Sequence, residues 1–139
     1  MSPMIFINLP VGDLAQSITF YRALGWTQNH QFSDNTAACM GWSEAIHTML
    51  LTYEKWRSFT HRRLPNAHET AQVLLGLSVA ERHLVDAMVK AAEDYGGLAD
   101  PNGAVDTPFM YSRSLADPDG HIWEVMWMDP DTALQPPDA

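Results

Sequence analysis

The chain has 139 residues, 46% of them hydrophobic, and a formal net charge of −9. A chain of this length forms one domain around one core. Its negative charge repels phosphate backbones, so we expect no nucleic-acid partner. No apolar run approaches the roughly 20 residues that cross a membrane, and no secretory leader pattern opens the sequence, so we expect a cytoplasmic protein without a membrane partner.

The first half of the chain predicts one strand, one helix and three further strands. Residues 5–11 predict a strand that ends at Gly12. Asp13 is a typical helix N-cap, and Gly25 is placed to end that helix. Short extended segments bounded by turn residues follow at 26–32, 36–42 and 47–53. Together these elements make a βαβββ unit.

The second half predicts the same order of elements. Residues 71–79 form an apolar strand, and a helix from about 81 to 95 ends at Gly96. The next strand, expected near 98–105, is poorly marked because Pro101, Asn102 and Gly103 interrupt it. Residues 109–115 and 122–128 then form a hairpin around the turn Asp117-Pro118-Asp119-Gly120.

This repeated order predicts an α+β fold of two βαβββ modules, at about residues 4–53 and 71–128, within a single domain of residues 1–129. An unrelated α+β sandwich is the alternative. Residues 130–139 are rich in proline and aspartate, and we expect them to be disordered.

Two other features have simple interpretations. The lone Cys39 lies in an apolar run and is expected to be a packed thiol without a role. The basic residues between 55 and 68 are expected to form a solvated loop, with an anion-binding role at the mouth of a pocket as the alternative. They are Lys55, Arg57, His61, Arg62, Arg63 and His68.

Three segments together resemble the vicinal oxygen chelate superfamily, which includes glyoxalases, bleomycin-binding proteins and extradiol dioxygenases. The first is Leu9-Pro10-Val11-Gly12-Asp13-Leu14, the second is Ser17 with Phe20-Tyr21 and Leu24-Gly25, and the third runs from Asp117 to Glu124. Details such as Asn8-Leu9-Pro10-Val11 are most similar to a bacterial subgroup labelled predicted lactoylglutathione lyases. The resemblance implies two modules that form a curved, cup-shaped mixed sheet with the helices outside.

In metal-dependent relatives, the first and last strands of each module supply four metal ligands. Carried over by the matching motifs, the ligand positions are Phe6, Leu50, Leu74 and Glu124. Only Glu124 has a donor atom that a divalent metal would take. We therefore expect no metal and no other cofactor, although a divalent metal remains an alternative.

Alternation along the strands predicts which side chains face the cup. The catalytic candidate is Glu124, as a general base or as an anchor for a polar group. His47 is expected to face away from the cup. The predicted ligand-binding residues are Phe6, Asn8, Leu50, Thr52, Leu74, Ser78 and Met126.

Three functions stay open on the sequence alone. The first is binding of a small organic ligand in an apolar cup without chemistry. The second is a lyase or isomerase of the lactoylglutathione lyase or dioxygenase type, either metal-assisted or with Glu124 as base, and the third is a structural or interaction module. Glu124 could alternatively be a structural residue, bonded to Ser78 or Thr52. We expect a homodimer because the sheet edges need covering, and the modules could pair within one chain or between two.

Overall fold

A computed structural model describes residues 2–133 of the chain. The strands and helices follow the order that the repeat predicts, with two additional short helices. In chain order they are β1 (Ile5–Val11), α1 (Leu14–Leu24), β2 (Thr27–Asn29), β3 (Ala37–Gly41), β4 (Ile46–Thr52), α2 (Tyr53–Phe59), β5 (Leu75–Ser78), α3 (Arg82–Asp94), β6 (Leu98–Ala99), β7 (Val105–Asp106), β8 (Met110–Ala116), β9 (Ile122–Met128) and α4 (Pro130–Ala133).

Each half of the chain builds its own mixed sheet. The first sheet has the strand order β1-β4-β3-β2, and the second has the order β5-β9-β8-β6, with β7 also paired to β8. In both sheets the first and last long strands of the module run parallel, while the remaining pairs are antiparallel. The predicted α+β class and the two βαβββ modules are confirmed.

The helix boundaries follow from local chemistry. Asp13 caps α1, because its carboxylate accepts a 3.0 Å hydrogen bond from the Gln16 amide. Gly25 follows α1 with φ 111° and Gly96 follows α3 with φ 95°, a left-handed conformation that glycine adopts without steric cost.

The two modules of one chain are held together through their helices. Helix α1 packs on β3 and β4, helix α3 packs on β8 and β9, and the two helices contact each other. The buried aromatic side chains Tyr21, Trp26 and Trp123 meet between them, with ring centroids 5.3 to 6.2 Å apart. Both sheets therefore contribute one face to a single continuous core.

The packed helices leave the opposite face of each sheet uncovered by α1 and α3. Among the described residues, no strand of one sheet pairs with a strand of the other, so the sheets do not close. We call these surfaces the first open face, on the sheet of β1 to β4, and the second open face, on the sheet of β5 to β9.

Several predicted elements differ in extent. The strand expected at 26–32 stops at Asn29 and gives way to a 3-10 turn over His30–Phe32. The segment after β4 begins with α2, which Thr52 caps by accepting from the Lys55 amide. The strand expected at 98–105 is split into β6 and β7 by the Pro-Asn-Gly segment.

The strand expected at 71–79 shortens to β5. At the C-terminus, Pro130–Ala133 form the short helix α4 within the segment that we expected to be disordered. The rest of that segment lies outside the described residues.

Candidate functional site

The first open face is set by the parallel register of β1 and β4. Leu9 and Val11 are buried in the core, so the alternate residues Phe6 and Asn8 lie on the opposite face. The register places Phe6 beside His47 and Asn8 beside Met49. The Phe6 and His47 rings stack with centroids 4.8 Å apart, and Phe6 keeps 47% of its surface exposed.

Two predicted ligand-binding residues, Leu50 and Thr52, do not lie on this face. Leu50 pairs with Leu9, has 0% exposure and belongs to the core. Thr52 is two residues after Leu50 and therefore lies on the same face of β4. Its side chain caps α2. The prediction was wrong by one residue in strand register, which moves every side chain to the other face. For the same reason His47, expected to face away, lies on the open face.

A cavity of about 500 Å³ occupies the first open face. Its apolar surface comes from two aromatic rings, a thioether and a thiol, and its rim is polar. The lining residues are Phe6, Gln31, Phe32, Ser33, Asp34, Cys39 and Met49. A volume of this size accommodates a small organic molecule.

The segment from Asn29 to Ala37 forms one side of this cavity and is fixed by hydrogen bonds. The Ser33 hydroxyl donates to the Asn29 carbonyl at 2.6 Å and accepts from the Cys39 amide at 3.0 Å. Asp34 Oδ1 accepts from the Thr36 amide at 2.7 Å and the Ala37 amide at 3.0 Å. The cavity is therefore preformed.

Cys39 lies at the cavity as a neutral thiol. Its side chain is 1% exposed, and burial raises the pKa of the thiol. Reactive cysteines have a lowered pKa and are accessible, so Cys39 has the character of a packing residue.

The second open face carries the candidate carboxylate. Trp123 and Val125 are buried in the core, so Glu124 and Met126 lie on the opposite face of β9. Parallel pairing sets Gly76 beside Glu124 and Ser78 beside Met126. Leu74 precedes β5 and is 53% exposed. Ser78 also borders an apolar crevice of about 440 Å³ between the modules, lined by Leu24, Trp42 and Met88 among others.

Glu124 is half-buried, and it is bonded to neither Ser78 nor Thr52. Its Oε1 accepts a 3.1 Å hydrogen bond from the Asn102 side-chain amide. Asn102 is itself fixed by Ser114, whose hydroxyl accepts from the Asn102 amide at 2.8 Å and donates to its carbonyl at 3.2 Å. Asn102 thus holds one carboxylate oxygen and leaves Oε2 without a hydrogen bond from the described residues.

No sequence motif marks Asn102 as a site residue. It lies in the Pro-Asn-Gly segment that interrupts the predicted strand, 22 residues from Glu124. The preceding Asp100 has φ 54° and pairs with Arg113 at 2.6 Å, which anchors the segment to β8. An interruption of a strand beside a candidate carboxylate is the one signal that could have drawn attention to it.

The residues present do not fit a tightly bound divalent metal. Phe6 and Leu74 have no donor atoms, and the β4 positions that face the open side are His47 and Met49 in place of Leu50. His47 Nε2 lies 2.9 Å from the Glu44 carbonyl, so that nitrogen already has a partner. Within the described part of the chain, no three His, Cys, Asp or Glu side chains are grouped to hold a metal.

The Asp-Pro-Asp-Gly turn has a structural function. Asp117 is 2% exposed and accepts hydrogen bonds from the Tyr21 hydroxyl at 2.7 Å and from the amides of Asp119 and His121. Burial raises the pKa of Asp117. Asp119 Oδ1 accepts from the Gly12 amide at 2.8 Å. The motif therefore joins the second module to the end of β1 and to α1.

The family profile described as Glyoxalase/Bleomycin resistance protein/Dioxygenase superfamily matches residues 4–125. The chain belongs to this superfamily. No curated protein shows significant sequence similarity to it.

Solved structures share the superfamily fold at low sequence identity. A hypothetical protein, SA1046 from S. aureus, is 23% identical with a TM-score of 0.75, over 91% of this chain and 94% of that one. A glyoxalase-related enzyme from Fulvimarina pelagi is 21% identical with a TM-score of 0.73, over 91% and 88%. A glyoxalase/bleomycin resistance protein/dioxygenase family enzyme from Burkholderia phytofirmans PsJN is 15% identical with a TM-score of 0.72, over 91% and 99%.

Within residues 2–133, no helix combines the length and apolar character needed to cross a membrane.

Proposed function

We propose that this superfamily member binds a small organic ligand in a site that two copies of the chain build together. The observation that carries this proposal is the division of the candidate residues between the open faces of two separate sheets of one chain. The first open face carries the aromatic cavity, and the second carries Glu124 with one carboxylate oxygen held by Asn102. A symmetric dimer can set the first face of one copy against the second face of its partner.

The exposure of the two faces supports the dimer. Phe6, Leu74 and Met4 are 46% to 53% exposed. Apolar side chains grouped on a sheet face mark surfaces that another molecule covers. A two-fold pairing would cover both faces of both copies and create two equivalent ligand sites.

Glu124 is the residue that we assign to the polar end of the ligand. Asn102 fixes the orientation of its carboxylate through Oε1, which leaves Oε2 available to accept a hydrogen bond from a ligand. Gly76 and Ser114 pair with Glu124 on the neighbouring strands, and Met126 lies on the same face of β9. A few oriented polar groups beside apolar side chains are the usual composition of a small-molecule pocket.

A second candidate function is proton abstraction by Glu124 in a lyase or isomerase reaction. The same observation favours it, because an oriented carboxylate with one free oxygen can accept a proton from a bound carbonyl compound. In this case the general base is the side chain itself, and the proton passes to Oε2. Binding alone requires less of the site and is the primary proposal.

A fragment screen by ligand-detected NMR tests the proposal. Fragments that bind the wild-type protein are titrated against Glu124→Gln, with Glu93→Gln on the exposed side of α3 as a control of equal charge. We expect Glu124→Gln to weaken binding and Glu93→Gln to leave it unchanged. Equal binding by wild type and Glu124→Gln would remove Glu124 from the site, and turnover of a carbonyl fragment only by the wild type would favour the second candidate.

A further inference from the structure

The cavity on the first open face combines aromatic walls with one acidic side chain, and this combination bears on the chemical class of its ligand. Its walls are the rings of Phe6 and Phe32, which are 47% and 64% exposed. One face of the Phe6 ring is covered by the stacked His47 ring, so the ring is held in place. Flat apolar groups bind such exposed aromatic surfaces by stacking.

Among the described residues that line the cavity, Asp34 is the only one whose side chain carries a charge at neutral pH. Burial keeps the nearby Cys39 thiol neutral by raising its pKa. Hydrogen bonds from Thr36 and Ala37 lower the pKa of Asp34, so its carboxylate is charged. No lysine, arginine or histidine of residues 2–133 lines the cavity.

Asp34 Oδ2 accepts no hydrogen bond from the part of the chain that the structure describes. All three of its side-chain hydrogen bonds, from Thr36 and Ala37, end on Oδ1. The positive charge of Lys55 also lowers the pKa of Asp34. The Lys55 ammonium group itself lies over the Phe59 ring, 5.3 Å from the ring centroid. Within the described residues, no ion pair neutralises Asp34.

We infer that this cavity binds the flat, apolar part of an organic cation, with its positive group at Asp34 and against the aromatic rings. Aromatic faces attract cations, and the rim supplies the opposite charge. The net charge of −9 adds a long-range attraction for cations. This inference rests on the proposed ligand-binding function. It adds the chemical class of the ligand that binds at the first open face.

The test compares a cation with its neutral isostere. The probes are (4-hydroxyphenyl)trimethylammonium and 4-tert-butylphenol, which have the same shape and differ in charge. Binding is followed by NMR through the methyl resonance of Met49, which lines the cavity. We expect the cation to bind about fivefold more tightly, because the exposed Asp34 carboxylate attracts its positive charge.

Asp34→Asn is the decisive variant. The asparagine side-chain oxygen can still accept the hydrogen bonds of Asp34 Oδ1, so the segment keeps its conformation while the charge is removed. We expect the preference for the cation to disappear in Asp34→Asn and to persist in the equally charged control Glu93→Gln. Phe32→Ala is expected to weaken both probes, because it removes an aromatic wall that both contact.

The outcomes separate this inference from the proposed function. If the wild type binds both probes equally, or if Asp34→Asn keeps the preference, the inference is overturned while ligand binding on the first face stands. If neither probe perturbs Met49, the inference is also overturned, and the proposed function then depends on the fragment screen with Glu124→Gln.

Discussion

The Tyr21 hydroxyl donates a 2.7 Å hydrogen bond to Asp117, a residue 96 positions later in the chain, and accepts one of 3.0 Å from the Trp123 indole. Tyr21 lies on α1 of the first module, while Asp117 and Trp123 belong to the second. All three side chains are buried. These buried hydrogen bonds therefore join the two modules of the chain to each other.

Tyr21→Phe is expected to lower the free energy of unfolding by about 1 to 3 kcal/mol, because the Asp117 carboxylate and the Trp123 indole lose a buried partner. Denaturant unfolding measures the change. The control is Tyr95→Phe, since Tyr95 is 49% exposed. A loss no larger than that of the control would show that the link contributes little.

Met49 and Leu50 lie on opposite faces of β4, so substituting each by alanine should affect stability and ligand binding in opposite ways. Leu50→Ala should cost about 2 to 5 kcal/mol, because it opens a cavity in the core. Met49→Ala should cost much less, since Met49 is partly exposed on the open face, but it should weaken fragments that bind there. Thermal unfolding and the fragment titration together measure both effects, and the reverse pattern would restore the face predicted from sequence.

Sequence reasoning was most successful where local patterns determine the structure. The bounds of β1 and β9, the Asp13 cap and the glycine ends of the helices follow from apolar runs and from glycine conformation. The face of β4 was wrong because its residues 46–52 are mostly apolar and show no alternation that would fix the register. Asn102 was missed because its contact with Glu124 depends on tertiary packing of a segment without a secondary-structure signal.

Close packing at Gly97 predicts a large effect of one methyl group. A Cβ atom at this position would collide with the Ala116 carbonyl and would lie 2.7 Å from the Phe20 ring. Gly97→Ala should therefore destabilise the protein by about 1 to 3 kcal/mol or more. Gly103 is the matched control, because nothing lies within 4 Å of its added Cβ. Similar melting temperatures for the two variants would contradict this packing.

The Arg113 ion pairs predict how stability depends on acid. Hydrogen bonds from Arg113 lower the pKa of Asp100, and hydrogen bonds from Tyr111 and Arg113 lower that of Asp86. Carboxylates with a lowered pKa stabilise the fold above their unfolded pKa of about 4, and this contribution is lost as the pH falls through the lowered value.

Arg113→Met should therefore flatten the loss of unfolding free energy between about pH 5 and pH 3, by no more than about 1 kcal/mol for such exposed pairs. Lys90→Met, which breaks the exposed pair with Asp94, is the control. Parallel acid curves for the wild type and Arg113→Met would show that these pairs do not contribute to stability.

The central claim, that each ligand site combines the first face of one copy with the second face of another, is tested most directly by mixing two defective variants. Phe6→Ala damages the first open face and Glu124→Gln damages the second. Each variant alone should therefore bind weakly any small-molecule fragment that binds the wild-type protein. After the two are unfolded together and refolded in equal amounts, half of the dimers contain one chain of each kind, and each of these has one intact site. The account predicts that wild-type affinity returns in about a quarter of the sites, and no recovery in a mixture shown to contain mixed dimers would contradict it.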